Sequence, residues 1–144
     1  MSSALNGCTH VVDTHGLLEI AALNTNEKTT LKAALKAGAI AVPAIVWKEF
    51  EELYEDEAAD LKPHISAKIS MKGAYQIGAA SIADKINSTL IYSPYDSHAD
   101  LCTAAICQIE GRTLLTNDEQ LAVYAKMKCR KVESVGGWLA AKDD

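Results

Sequence analysis

The chain reads as short apolar runs separated by longer amphipathic segments. Four runs stand out, near residues 9–13, 39–42, 113–117 and 130–135, drawing on Val, Ile, Leu and Thr. Runs this short predict strands buried on both faces, as in a parallel sheet. The segments between them predict helices beginning near His15, Glu27, Ala44, Ser66, Ser97 and Asp118. Gly38 and Gly111 fall where helices would stop, because glycine accepts the left-handed backbone that closes a helix. Pro43 would end the second strand and hand over to the next helix. Strands alternating with helices predict an α/β fold: three layers, α/β/α, around a central parallel sheet of four to five strands. Residues 55–95 read as mostly helical. Gly73, Gly78 and Pro94 blur the boundaries there, and Thr89–Tyr92 stays open between a short strand and a helix end.

Length and composition narrow this picture. A chain of 144 residues with 49% hydrophobic content predicts a single domain over 1–144. The net charge is −5, and Arg112 and Arg130 are the only arginines among fourteen basic residues. That argues against tight, non-specific nucleic-acid binding, which needs a basic stripe. It is compatible with an enzyme that holds nucleic acid briefly through a metal and a few lysines. Cys8, Cys102, Cys107 and Cys129 show no C-x-x-C spacing, so buried reduced thiols are expected. No apolar run reaches the length of a membrane span, and the N-terminus lacks a basic-then-apolar signal pattern. A cytoplasmic protein without membrane contact is expected.

The chemistry lies in the acids. Asp13 closes the first apolar run and Asp118 closes the third. Glu49 follows the second, and Asp100 opens a helical segment. In open α/β sheets, sites form beyond the carboxyl ends of the strands. Separate stretches of chain would therefore bring carboxylates to one edge. At roughly 100° per residue, Val46, Glu49, Phe50 and Leu53 share a helix face, whereas Glu51, Glu52 and Glu55 point elsewhere. An acid on that inward face needs a partner or a metal. Each acid also has a plainer job open to it: Asp13 and Asp118 as helix N-caps, Asp100 as a first-turn acid, Glu49 at the edge of its stripe. Taken jointly, the four point to a hard divalent cation, Mg²⁺ or Mn²⁺.

Four stretches resemble the PIN domain, the small nuclease fold of VapC-type toxins and of several RNA-processing proteins. They are His10-Val11-Val12-Asp13-Thr14, the segment Val42 to Phe50 around Glu49, Asp100-Leu101-Cys102-Thr103-Ala104-Ala105, and Leu114-Leu115-Thr116-Asn117-Asp118. The likeness covers 9–54 and 97–135, and 55–95 only as a generic helical insert. It implies that Asp13, Glu49, Asp100 and Asp118 hold one or two Mg²⁺ or Mn²⁺ ions. It also implies that Thr116 orients a carboxylate or a water. Metal-assisted hydrolysis of RNA follows as the expected activity, with an antitoxin partner if the protein is a toxin. The family often forms homodimers, which the apolar helical content of 15–35 and 66–86 would allow. Lysines on 62–72 and the Lys126, Lys128, Arg130, Lys131 cluster are candidate backbone contacts, and the cluster fits a solvated helix end equally well. Asp96, His15 and His98 match no family ligand.

Two other readings stay open at this point. One is a PIN-like scaffold that binds a protein partner, its acids serving as caps. The other is a haloacid-dehalogenase-like phosphatase, which wants a second Asp two residues after the first. His15 stands at that position here.

Overall fold

The central strand, β1 (His10–Val12), carries Val11 and Val12, and neither exposes any surface. In this computed structural model, residues 7–89, 98–117 and 131–142 are described, the side chains of 85–89 and 142 excepted. From β1 the chain passes through α1 (Thr14–Ala22) and α2 (Thr25–Ala37) to β2 (Ile40–Pro43). It continues through α3 (Ala44–Leu53), α4 (Glu55–Leu61) and a 3-10 turn (Lys62–His64) to β3 (Lys68–Ile69). Then follow α5 (Gly73–Thr89), α6 (His98–Glu110), β4 (Thr113–Leu115), β5 (Val132–Glu133) and α7 (Val135–Lys142).

The five strands pair in the order β3-β2-β1-β4-β5, all parallel. Successive side chains on a strand face opposite ways, and that alternation builds two cores. Val11, Ala41 and Leu114 pack with Tyr75 of α5 and with Cys102, Ala105 and Ile106 of α6. Val12, Ile40, Val42 and Leu115 pack with Leu17, Ile20, Leu31, Leu35, Phe50 and Trp138 on the other face. The result is the expected three-layer α/β/α architecture. Where α5 meets α6 the backbones are close: a Cβ on Gly78 would lie 3.1 Å from Ala105 Cβ. Among the described residues, no helix is long and apolar enough to cross a membrane.

Gly38 ends α2 at φ 82°, and Gly111 follows α6 at φ 66°, both in the left-handed region. Pro43 is the last residue of β2 and stands directly before α3.

Two local expectations need correction. No helix begins at Ser66. Its hydroxyl donates to the carbonyls of Leu35 and Lys36, satisfying the end of α2, and the chain runs on into β3. The stretch 55–95 is therefore interrupted by a strand. Leu53 is 61% exposed rather than inward, because α3 ends there and Tyr54 packs against Phe50 instead, their rings 5.7 Å apart. The helix expected from Asp118, Pro94, most of Thr89–Tyr92, and Cys129 lie outside the described residues. Cys8, Cys102 and Cys107 are buried free thiols.

Candidate metal centre

The strand order places the site. The chain steps from β1 outward to β2 and β3, then returns to the other side of β1 as β4. Such a reversal opens a crevice between the carboxyl ends of the two strands where it occurs. Here those strands are β1 and β4, and Val12 pairs with Leu115. The next residues on each strand are Asp13 and Thr116. The Asp13 amide donates to the Leu115 carbonyl at 3.3 Å, which holds the two strand ends level.

Asp13 is completely buried. It sits at the N-cap of α1 in an extended conformation, and its Oδ1 accepts the Gly16 amide at 2.7 Å. Its Oδ2 accepts the Thr116 hydroxyl at 2.5 Å. Asp13 thus takes up the capping role open to it from the sequence. Each carboxylate oxygen keeps a further lone pair after one hydrogen bond. Burial pushes the Asp13 carboxyl up to about 7; the Asp100 charge pushes the same way, while bonds from Thr116 and Gly16 and the His15 charge pull it down.

Asp100 is 2% exposed, in the first turn of α6. Its charge adds to the burial that raises the Asp13 carboxyl. Glu49 on α3 is half-buried, and its Oε1 accepts the Thr14 hydroxyl at 3.3 Å. Thr14 follows Asp13 directly, so this bond ties Glu49 to the same corner. Asp118 and Asp96 lie outside the described residues. Among the described residues, no three His, Cys, Asp or Glu side chains form one metal-binding group.

His15 is half-buried beside the site. His98 is exposed, its Nε2 3.4 Å from the Cys102 Sγ one helical turn on.

Three residues at this corner escaped sequence reasoning. Thr14 was read only as part of a motif. Gly16 permits α1 to sit on the strand ends, since a Cβ there would meet Val12 Cγ2 at 2.5 Å and the Leu115 carbonyl oxygen at 2.7 Å. Asn117 accepts the Val135 amide at 3.0 Å, capping α7 beside the crevice. The signal available was position alone: each is adjacent to, or one turn from, a strand-ending residue.

The donor chemistry fits a hard divalent cation. Two buried carboxylates raise each other's cost of ionisation, and a doubly charged ion offsets that cost. Oxygen donors of this kind suit Mg²⁺ or Mn²⁺.

Comparison with known proteins gives a consistent result. The model of the PIN domain family matches residues 10–127. No curated protein matches the sequence significantly. The fold is similar to the crystal structure of PAE2754 from Pyrobaculum aerophilum. The TM-score is 0.66 at 13% identity, covering 94% of this chain and 89% of that one. It is also similar to VapBC2 from Rickettsia felis bound to a DNA fragment from their promoter. There the TM-score is 0.63 at 16% identity, covering 87% of this chain and 97% of that one. With the family match spanning most of the sequence and Asp13 buried at the end of the central strand, the chain belongs to the PIN domain family, whose members are generally nucleases.

Proposed function

We propose that this chain is a metal-dependent endoribonuclease that hydrolyses RNA phosphodiester bonds, and that it is the toxin of a toxin–antitoxin pair. One observation carries the catalytic reading. Two carboxylates, Asp13 and Asp100, are buried within electrostatic reach of each other at the sheet's crevice. Such a pair is costly unless charge arrives to balance it.

Asp13 and Asp100 would hold Mg²⁺ or Mn²⁺, joined by Glu49 and Asp118. When bound, the ion supplies Lewis acidity: it lowers the pKa of a water and offsets charge on the phosphodiester. Thr116 and the Gly16 amide fix the rotamer of Asp13, so both its oxygens stay aimed. Thr14 restrains Glu49 in the same way. Chain 1–144 acts as one nuclease unit in the cytoplasm. The fold shared with VapBC2 favours an antitoxin partner, and a homodimer is compatible with it.

The test is cleavage of single-stranded and structured RNA with Mn²⁺ or Mg²⁺, with and without EDTA. Cleavage should require metal and vanish in Asp13→Asn combined with Asp118→Asn. Activity surviving both substitutions rules the mechanism out. Intact protein that binds no Mn²⁺ by calorimetry would instead favour a protein-binding scaffold.

A further inference from the structure

We infer that Lys68 and Lys72 form the landing point for the RNA backbone beside the acidic centre; this rests on the nuclease reading above. Register gives the placement. Val11 pairs with Ala41, and Pro43 pairs with Ile69. Extending the β1–β2 ladder by two residues sets Asp13 level with Pro43, and hence with Ile69. Two strand spacings separate Asp13 from Ile69, roughly 10 Å. A few nucleotides of single-stranded RNA cross that distance. Lys68 flanks Ile69 within β3, and Lys72 follows on the same carboxyl edge that carries Asp13 and Thr116.

Both lysines are exposed, and neither is committed to an acid. Among the described residues, Lys28 and Lys32 both bind Asp60, whereas Lys68 and Lys72 have no carboxylate within ion-pair distance. Instead each ammonium lies over an aromatic ring. Lys68 Nζ is 5.6 Å from the centroid of Trp47, and Lys72 Nζ is 5.7 Å from that of Tyr75. Both rings are buried, at 3% and 1% exposure, so they are fixed platforms. A cation held over a ring keeps its charge available to an incoming anion. Trp47 lies two residues before Glu49, which places Lys68 beside the helix that carries an acid of the site.

The position of Lys72 adds to the case. It immediately precedes α5, and its carbonyl accepts the Tyr75 and Gln76 amides. A cation at the positive end of a helix dipole is unfavourable for stability. Its value there lies in attracting negative charge from outside. The phosphodiester backbone is the anion the neighbouring centre would act on.

The experiment measures binding and cleavage separately. Fluorescence anisotropy of a labelled single-stranded RNA, in EDTA and across salt concentrations, reads binding without chemistry. Lys68→Ala and Lys72→Ala should each weaken binding on the order of fivefold and reduce the slope of log K against log salt by about 0.7. Lys68→Arg should retain affinity. Lys36→Ala, in the last turn of α2 before the amino end of β2, should change nothing. Circular dichroism should show all variants folded. Unchanged affinity and slope in the double alanine variant overturn the proposal, as does wild-type protein that binds no RNA. Binding that depends on both lysines, with no cleavage under Mn²⁺, supports the landing point and counts against the nuclease reading. Cleavage with an unaltered KM in the double variant does the reverse.

Discussion

Thr116 and Asp13 stand 103 residues apart in sequence, yet their side chains meet in a buried hydrogen bond of 2.5 Å. A bond donated to a charged acceptor contributes roughly 1.5–3 kcal/mol. Thr116→Val keeps the shape and removes the donor. We expect metal-free stability to fall by about 2 kcal/mol at pH 8, where Asp13 is largely ionised, and by about 1 kcal/mol at pH 5. Thr116→Ser should stay close to wild type. Urea titrations at the two pH values decide; an equal loss at both means the bond does not depend on the Asp13 charge.

The Asp13 carboxyl, pushed up to about 7 chiefly by burial, titrates well above its ordinary value of 3.8. The folded state therefore holds this proton more tightly than the unfolded chain. Its contribution to stability is fully present below about pH 4 and is lost as pH rises through 7. In EDTA, the Tm of the wild type should fall between pH 5 and pH 8 by more than that of Asp13→Asn. Mn²⁺ should raise the wild-type Tm more at pH 8 than at pH 5, because a cation replaces the proton. Parallel Tm profiles for the two proteins in EDTA would show that Asp13 is not the group responsible.

Gly16 lies inside α1, where alanine normally gains about 1 kcal/mol in helix propensity. Here sterics should win. A Cβ would approach Val12 Cγ2 at 2.5 Å and the Leu115 carbonyl oxygen at 2.7 Å, and the latter is backbone that cannot turn aside. Gly16→Ala should destabilise by roughly 1–3 kcal/mol, read as a lower urea midpoint at unchanged m-value. It should also shift Asp13, whose Oδ1 would be 3.3 Å from the new carbon. A neutral or stabilising result would mean that α1 can lift from the strand ends without cost.

Asn117 sits between Thr116 and Asp118, but its side chain serves another element. It accepts the Val135 amide and so caps the helix that carries Trp138 into the core. Asn117→Ala should cost about 1 kcal/mol, and Asn117→Asp should recover it. Thermal melts of the three proteins test this. Unchanged stability in the alanine variant would assign the cap to Ser134, whose hydroxyl accepts the Gly137 amide at 2.9 Å.

Much of this arrangement was legible in the sequence, for identifiable reasons. Ile40 to Pro43 and Thr113 to Leu115 are apolar, bounded by Gly38, Pro43 and Gly111, and buried parallel strands need that pattern. Asp13 was visible because a carboxylate at the end of such a strand contradicts its surroundings. Lys68-Ile69 was not visible. Two residues carry no periodicity, and they become a strand only because β2 offers an unpaired edge. Ser66 misled for a related reason. Its hydroxyl suits a helix start, yet it is spent on the end of a helix thirty residues earlier. Such choices are made by tertiary contacts, which local propensity does not record. Glu49 was expected to need a partner, but nothing in the spacing named Thr14.

The placement of Asp13 on the innermost strand also has a mechanical consequence. Its neighbours Val11 and Val12 are fully buried and its strand has a partner on each side, so the carboxylate is anchored by the centre of the sheet. The β3 rim is two residues long and paired on one side only, as is β5 at the other edge of the sheet. Substitutions along this rim should therefore leave the position of the Asp13 carboxylate undisturbed.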